Sequence, residues 1–202
     1  MPRVAYSKEQ REQMRNRLLS AGLERFVQYG YKGAKLADIL KEVGISKPFF
    51  YTFFSSKEDF VVAVLLYQHE RFLEEVCRQA SRRPGEQEEL LREMIHQLVF
   101  GTAGGRCFLS ASEQSEVVSH LGQENYRQFQ RTRTVFFQRL LEAVGVRATP
   151  YVARVAGNMI MTAAVVGLTD EQNLPLLFAG EIRPTLELAE GMICRYLLPY
   201  MK

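Results

Sequence analysis

Residues 33–60 read GAKLADILKEVGISKPFFYTFFSSKEDF, and this stretch decides the fold. It contains a short helical pattern, a turn at Gly44, a second short helix that Ser46 can cap, and the start of a third. Pro48 is tolerated near the start of the second of these helices, because first-turn amides have no intrahelical partner to lose. A basic segment precedes the stretch. This order of elements predicts a helix-turn-helix, which places one helix in the major groove of DNA.

The positive charge of the chain is concentrated in its N-terminal part. Of 202 residues, 47% are hydrophobic and 24% are charged, which is typical of a globular protein. Residues 1–60 hold 11 Lys or Arg against 7 Asp or Glu, whereas the remainder holds 15 against 16. An anionic partner such as DNA would require this excess, although a solvated helix face explains it equally well.

Several classes of protein are excluded by what the sequence lacks. The N-terminus is polar and charged, unlike a signal peptide, and no apolar run approaches the ~20 residues of a membrane span. Cys77, Cys107 and Cys194 lie far apart, which favours reduced thiols in a cytoplasm. The three histidines are equally scattered, so we expect neither a metal site nor a cofactor. No nucleophile–base pair, carboxylate dyad or phosphate loop is evident, and the sequence therefore predicts that the protein is not an enzyme.

Nearly the whole chain has helical periodicity, which predicts an all-α protein of about nine helices. Ser7 and Gln10 form a capping-box pattern before the first helix, and Gly30 supplies a left-handed stop after it. Ser55 and Glu58 form a second capping-box pattern, which opens a long helix that ends near residue 81. The other helices are expected near 36–43, 47–54, 86–102, 107–115, 118–144, 150–168 and 181–198.

Two domains follow from this organisation. We assign residues 1–56 to a helix-turn-helix DNA-binding domain and residues 57–202 to a helical domain for effector binding and dimerisation. The helix over 57–81 connects the two, and the sequence RRPGE at 82–86 is the clearest break after it. The loop over 169–180 is the longest predicted connection.

A helix over residues 47–54 would have an aromatic face and a polar face. The inward face has i, i+3, i+4 spacing and consists of Phe50, Phe53 and Phe54. The outward face can contact phosphates or base edges and consists of Lys47, Pro48, Tyr51 and Thr52. Phe49 flanks the outward face, where it could touch a thymine methyl. Packing is the competing explanation, with Tyr51 against the first helix and Phe49 in the core.

A longer series of residues, with characteristic types and spacing, lies within positions 15–60. It comprises Leu18, Leu19, Ala21, Phe26, Gly30, Tyr31, Asp38, Ile39, Val43, Gly44, Ile45, Ser46, Lys47, Tyr51, Phe54, Ser56, Lys57 and Glu58. In this spacing the segment resembles the N-terminal DNA-binding domain of the TetR (tetracycline-repressor-like) family of bacterial regulators. The resemblance covers about a quarter of the chain, and the helical remainder agrees with the family's ligand-binding and dimerisation domain in architecture.

The resemblance implies a homodimer whose third helices enter successive major grooves of a partly palindromic operator. It implies phosphate contacts for Lys47 and Lys57, and Lys57 stands at a helix start, where exposed amides also attract anions. It places Phe49, Tyr51 and Thr52 near bases or backbone. The residues assigned to the DNA-binding surface are Lys35, Ser46, Lys47, Pro48, Phe49, Tyr51, Thr52, Phe53 and Lys57.

Some residues depart from the family's usual pattern. Ala34 and Lys35 stand where two hydroxyl residues usually precede the second helix, so a cap and one hydroxyl contact to phosphate are lost. Lys35 could supply a charge contact instead. The further departures are Ala37 for Arg, Pro48 for a small residue, Thr52 for His and Phe53 for Tyr. DNA binding is therefore expected, but the operator sequence cannot be copied from relatives.

The C-terminal part has aromatic and polar residues that could line a pocket between helices. The candidates are Phe100, Phe108, Glu113, Tyr126, Phe129, Phe137, Asn158, Met159 and Thr162. Ordinary core packing, or exposure of the polar ones, is the alternative for each. An aromatic and Met-containing interior favours a small apolar or aromatic effector, and Glu113 could balance a cation.

The last two long helices carry small and aliphatic residues that suit a four-helix bundle between two subunits. The residues assigned to this dimer interface are Ala153, Gly157, Ala164, Leu186, Ile193 and Leu197. Cys107 lies beside Arg106, which could lower its thiol pKa and create a redox switch. A plain packed cysteine is the alternative.

Three functions compete on these grounds. The leading one is a dimeric repressor that a small effector releases from its operator. The second is a DNA-bound scaffold that needs no ligand and recruits a protein partner, which an exposed apolar patch without an enclosed cavity would favour. The third is an all-helical enzyme, for which no catalytic set is evident.

Overall fold

The computed structural model describes residues 6–101, 107, 109–168 and 177–202. Within these residues the protein is all-α, which confirms the predicted fold class. Its nine helices are α1 (Lys8–Gly33), α2 (Leu36–Val43), α3 (Lys47–Phe50), α4 (Lys57–Arg82), α5 (Gln87–Phe100), α6 (Ala111–His120), α7 (Gln123–Ala143), α8 (Pro150–Leu168) and α9 (Ile182–Leu197). Two 3₁₀ turns, Ala179–Glu181 and Leu198–Tyr200, flank α9. None of the helices described is long and apolar enough to cross a membrane.

Capping side chains fix where the helices begin. At α1, Ser7 Oγ accepts a hydrogen bond from the amide of Gln10 at 3.2 Å, and Gln10 Oε1 accepts one from the amide of Ser7 at 2.8 Å. The predicted capping box is therefore confirmed. At α4 the prediction is off by one residue, because Ser56 rather than Ser55 caps the helix. Its hydroxyl accepts from the amide of Asp59 at 2.9 Å.

Two predicted helix ends differ in the structure. Gly30 has φ +68° and ψ 171°, which kinks the helix, but helical hydrogen bonding resumes beyond the kink as far as Gly33. The helix predicted over 47–54 is one turn long, Lys47–Phe50. Beyond it the amides of Thr52 and Phe53 donate to carbonyls three residues back, at 3.0 and 2.9 Å, so the chain tightens into turns instead of continuing as an α-helix.

The predicted helices over 107–115 and 118–144 also have different limits. They correspond to α6 and α7, which are separated by two non-helical residues, Leu121 and Gly122. Gly122 is the N-cap of α7, and its carbonyl accepts a hydrogen bond from the amide of Tyr126 at 3.0 Å. A new helix therefore begins there. Of the predicted loop over 169–180, residues 169–176 lie outside the described residues.

Helix α4 runs through two hydrophobic cores. Its first half contributes Phe60, Val61 and Val64, all at most 1% exposed, to an N-terminal core shared with α1, α2 and α3. This N-terminal core also contains four residues from later in the chain, namely Cys107, Leu109, Val117 and Leu121. The second half of α4 contributes Leu73 and Val76 to a C-terminal core formed with α5, α7, α8 and α9.

Candidate nucleic-acid interface and interior cavity

The turn between α2 and α3 sets the direction of the short third helix. Gly44 adopts the left-handed conformation, with φ +77° and ψ 35°, which strongly favours glycine. The amides of Gly44 and Ile45 both donate to the carbonyl of Leu40, at 2.9 and 3.0 Å, and close the end of α2. Ser46 then caps α3 by accepting from the amide of Phe49 at 3.3 Å. The sequence therefore determines this turn locally.

Two phenylalanines hold α3 against α4. Phe50 is 0% exposed and Phe54 is 5% exposed, and their rings lie 5.3 and 4.9 Å from the ring of Phe60. The predicted inward face is thus present, although Phe53 is half-buried. Because the aromatic face is committed to the core, the opposite face of α3 points outward, and Tyr51 there is 45% exposed.

The N-terminal part of α1 supports the outer side of α3. Arg11 donates to the carbonyl of Thr52 at 3.1 Å, and its guanidinium lies 4.8 Å above the ring of Phe53. Phe49 packs between the rings of Tyr6 and Phe53, with centroids 5.1 and 5.2 Å away. Arg11 is a residue of this surface that no sequence motif indicated. Phe53 lies beneath that arginine, so it supports the surface more than it forms it.

The polar side chains of this surface differ in the contacts that they make within the chain. The Thr52 hydroxyl donates to the carbonyl of Phe49 at 2.7 Å, so toward a partner it can act as an acceptor. Lys35 precedes α2 without a side-chain cap, consistent with the predicted loss of a hydroxyl cap there. Lys57 Nζ lies 4.8 Å above the ring of Tyr31 at the start of α4.

Six of the nine residues assigned to the DNA-binding surface are exposed: Lys35, Ser46, Lys47, Pro48, Tyr51 and Thr52. The other three are half-buried: Phe49, Phe53 and Lys57. All nine belong to the segment from the start of α2 to the start of α4. The structure therefore collects a cationic and hydroxyl-bearing surface around α3, which is suited to a polyanion.

A cavity of about 130 Å³ lies where α4, α6, α7 and α8 meet. Its walls comprise Val62, Leu65, Gln68, His69, Cys107, Leu109, Gln114, Val117, Val118, Leu121, Tyr126, Phe129, Gln130, Arg133 and Met161. Tyr126 and Phe129 are the two residues of the predicted pocket that line it. A second cavity of about 210 Å³ lies beside it and is lined by Gln130, Arg133, Thr134, Phe137, Arg154, Gly157 and Asn158. Phe137 and Asn158 of the predicted pocket belong to this second cavity.

The remaining residues of the predicted pocket lie elsewhere. Phe100 and Met159 pack against the C-terminal core, and Thr162 is exposed. Glu113 caps α6, where its carboxylate accepts from the amide of Ser110 at 2.8 Å, so it does not line either cavity. Phe108 lies outside the described residues.

Gln68 ties α4 to the segment at residue 107. Its side-chain amide accepts from the amide of Cys107 at 2.6 Å and donates to the Cys107 carbonyl at 3.0 Å. Cys107 is 3% exposed, and burial raises the pKa of its thiol to about 12. This corrects the idea of a lowered pKa: the thiol stays protonated and unreactive, so Cys107 is a packed structural residue.

His69 was not singled out by the sequence, yet it is the most perturbed group of the cavity. Burial, together with the nearby charge of Arg133, lowers its pKa to about 3. Its ring stacks on Phe136 at 4.3 Å, with 11° between the planes. The Nδ1 atom is buried and has no hydrogen-bond partner among the described residues. The sequence feature that could have indicated His69 is a single histidine on an otherwise apolar face of its helix.

The residues assigned to the dimer interface require a correction. All six are buried within the chain, where Ala153 and Leu197 are 0% exposed and Ile193 is 1% exposed. Gly157 allows the ring of Phe137 to pack on α8, because a Cβ at this position would lie 2.7 Å from that ring. Ala164 and Leu186 are likewise buried. The apolar stripes of α8 and α9 face the chain's own core, since these helices pack on one another and on α5 and α7.

A different face of α9 is free. Leu188 is 72% exposed and Met192 is 62% exposed, and their i, i+4 spacing puts them side by side. Tyr151 at the start of α8 is 66% exposed. Large apolar side chains this exposed, on neighbouring turns of one helix, mark a surface suited to burial against another protein.

Comparison with known proteins agrees with the helix-turn-helix geometry. Residues 18–64 match the family described as "Bacterial regulatory proteins, tetR family". The HTH-type transcriptional activator FasR of Mycolicibacterium smegmatis is 38% identical over 85 residues, a match that covers 42% of this chain and 38% of FasR. Residues 18–64 therefore belong to the tetR family of bacterial regulatory proteins.

Solved structures extend the likeness of fold to the helical body. Escherichia coli NemR in its reduced form has a TM-score of 0.55 at 21% identity, over 90% of this chain and 95% of NemR. A transcriptional regulator from Rhodococcus sp. Rha1 has a TM-score of 0.50 at 16% identity, over 90% and 96% of the two chains. At these identities the likeness shows the fold alone.

We expect the protein to lose stability on mild acidification through His69. The unfolded chain protonates this residue near its ordinary pKa, whereas the folded chain holds the pKa near 3. Between these values the unfolded state binds more protons, so the free energy of unfolding falls as the pH is lowered, by at most about 1.4 kcal/mol per pH unit. His69→Phe keeps a ring on Phe136 and should flatten the dependence of the melting temperature on pH between 7 and 5. The same substitution at the exposed His120 is the matched control. If the melting temperature of His69→Phe depended on pH as steeply as that of the unmodified protein, the prediction would be contradicted.

Proposed function

We propose that the regulator is a homodimeric repressor that binds a partly palindromic operator and is released by a small-molecule effector. Residues 1–56 would form its DNA-binding domain, and residues 57–202 its effector-binding and dimerisation domain, with the helix over 57–81 between them. The observation that carries the proposal is the position of α6. This helix lines the first cavity and also contributes to the N-terminal core.

The contacts of α6 suggest how an occupied cavity would influence the DNA-binding surface. Val117 belongs both to the cavity wall and to the N-terminal core. The preceding residue, Glu116, accepts a hydrogen bond from the Tyr31 hydroxyl at 3.5 Å. Burial and the Glu116 carboxylate raise the pKa of Tyr31, which keeps this hydroxyl protonated. Since Lys57 lies on the ring of Tyr31, a shift of α6 would move a cation of the DNA-binding surface.

The energetic requirement on the effector follows from linkage. A ligand shifts the protein between DNA-competent and released forms by its difference in affinity for the two, so the cavity must differ between them. Leu121 and Gly122 separate α6 from α7, so the two helices do not form one continuous helix. We therefore expect an effector to act by displacing α6 from the position described above.

The proposed dimer would use the exposed face of α9. Leu188 and Met192 supply its apolar centre, and the two-fold symmetry of a dimer would bring both copies of this patch together. Such a dimer presents two α3 helices at once, as a partly palindromic operator requires.

Operator binding is expected to weaken about tenfold, or about 1.4 kcal/mol, in either Tyr51→Ala or Lys57→Ala. Tyr51 is an exposed phenol of the outward face of α3, whereas Lys57 offers a charge to a phosphate. Lys57→Ala should therefore also reduce the slope of log affinity against log salt by about one per phosphate contact, and Tyr51→Ala should leave that slope unchanged. Affinity and slope are measured by fluorescence anisotropy on a site selected from random-sequence DNA.

Two matched variants serve as controls for this experiment. Tyr29→Ala removes a tyrosine of similar exposure from α1, and Lys202→Ala removes a lysine at the opposite end of the chain. Both should bind the operator as the unmodified protein does. Equal affinity of Tyr51→Ala and Lys57→Ala with these controls would remove the assignment of the surface around α3.

The effector itself is tested by screening small molecules for an increase in melting temperature and then for release of the operator. The proposal predicts that some compounds do both. A ligand-independent scaffold that recruits a protein partner would instead bind its operator equally with and without every compound that binds. Because FasR is named an activator, the direction of regulation is read separately, from a reporter gene placed behind the selected site.

A further inference from the structure

From the charges of the cavity we infer that its ligand is a small organic anion, namely a carboxylate on a compact apolar body, which pairs with Arg133 and reaches His69. This inference rests on the proposed function, since it specifies the effector of the same cavity. Among the described residues that line the first cavity, Arg133 is the single charged side chain, and none is Asp or Glu.

Among the described residues, Arg133 has no carboxylate to balance its charge. It is half-buried on α7, and burial lowers its pKa. No carboxylate among the described residues lies within ion-pair distance of it, and its recorded contact is with the ring of Phe129, 5.6 Å from the guanidinium carbon. Burying a cation without a counter-charge is unfavourable, so the site is incomplete as it stands. An anion entering the cavity would complete it.

The second cavity has the same charge character. It shares Arg133 and Gln130 with the first cavity and adds Arg154, again without an acidic side chain among its lining residues. Arg133 thus lines both cavities, and every ionisable group among their described lining residues is cationic or neutral. Guanidinium groups bind carboxylates through paired hydrogen bonds, which makes this arginine the place where the head group would sit.

The other polar groups of the first cavity leave His69 as the second contact. Gln68 is engaged with Cys107, and Gln114 donates to the carbonyl of Leu109 at 2.8 Å. Gln130 donates to the Tyr126 hydroxyl at 2.6 Å. Among the described residues, Nδ1 of His69 is the buried side-chain polar atom without a hydrogen-bond partner. A neutral imidazole that carries its proton on Nδ1 would donate it to a carboxylate.

The size and lining of the cavity limit the body of the ligand. Most of the remaining walls are aliphatic or aromatic: Val62, Leu65, Val117, Val118, Leu121 and Phe129. Apolar protein cavities of about 150 Å³ hold a molecule the size of benzene. A cavity of about 130 Å³ is therefore filled by a short alkyl chain or at most one ring, and the head group has to lie at Arg133, which also lines the second cavity of about 210 Å³.

The experiment compares two acids with their neutral amides on the full-length protein. Benzoate and hexanoate, against benzamide and hexanamide, are titrated at equal ionic strength, with calorimetry and melting temperature as readouts. We expect at least one acid to bind at least tenfold more tightly than its amide. Arg133→Gln should abolish this preference, Arg133→Lys should keep part of it, and Arg131→Gln, an exposed arginine of the same helix, should keep all of it.

The melting temperature without ligand shows that the variants fold, and Arg133→Gln should melt no lower than the unmodified protein, since it removes an unpaired cation. Equal binding of acids and amides, a preference that survives Arg133→Gln, or no binding by either acid would overturn the inference. Operator release by an amide alone would leave the proposed function standing while this inference falls. Binding of an acid through Arg133 without operator release would uphold the inference and overturn effector control.

Discussion

The double variant Leu188→Glu/Met192→Glu is expected to be a folded monomer that binds the operator at least a hundredfold more weakly. Both side chains are largely exposed in the single chain, at 72% and 62%, so the substitutions cost little in its own core. In a two-fold dimer through α9, each glutamate would appear twice and would be buried without a counter-charge. Unpaired charges at an interface cost several kcal/mol, which is enough to dissociate a dimer at micromolar concentration.

Loss of operator binding would follow from loss of the dimer alone. Two linked binding units gain a factor of roughly 10²–10⁴ over one through effective concentration, without any further contact. Mass by light scattering reports the oligomeric state, and circular dichroism verifies that the helices remain. Val135→Glu alters another exposed apolar residue, on α7, and should leave both the dimer and the affinity unchanged. If the double variant remains a dimer, subunit contact lies on another face.

Gly22→Ala is expected to destabilise the protein by about 2–3 kcal/mol, which is within the usual range for overpacking. A Cβ at this position would lie 2.5 Å from Phe60 Cζ and 3.0 Å from Val64 Cγ2, where α1 crosses α4. The ring of Phe60 has little room to yield, because it is 1% exposed and contacts the rings of Phe26 and Phe50. The clash outweighs the gain of roughly 0.5–1 kcal/mol that alanine brings to a helix interior.

Thermal unfolding measures this effect, and for a chain of this size we expect a fall in melting temperature of about 5–10 °C. Gly180→Ala is the matched control, because a Cβ at that position meets nothing within 4 Å. Its melting temperature should be unchanged or slightly higher. A Gly22→Ala protein as stable as the control would mean that α1 and α4 pack less closely than the structure shows.

The helix-turn-helix was predictable because short-range interactions determine it. The turn depends on Gly44 and Ser46, and the inward face of α3 depends on the spacing of Phe50 and Phe54, all within one short segment. The premature end of α3 was not predictable, since Arg11 holds the carbonyl of Thr52 from 41 residues away. Helix propensity reflects only neighbouring residues, so it carries no information about such a contact.

The cavity and the free face of α9 were predicted less well, for a common reason. Helical periodicity shows that one side of a helix is apolar, but it does not show whether that side meets the chain's own core or a second chain. Ile193 and Leu188 illustrate the difference, since the first is 1% and the second 72% exposed on the same helix. The place of His69 beside Arg133 depends on the packing of α4 on α7, which no local pattern encodes.

The four later residues in the N-terminal core also limit how this protein could have been assembled in evolution. Val117 and Leu121 fill space beside α1 and α4, together with Cys107 and Leu109. A recombination event that joined the first 82 residues to an unrelated helical body would leave that space empty. Successful exchange would need an α6 of matching shape, so these two parts of the gene are expected to be inherited together.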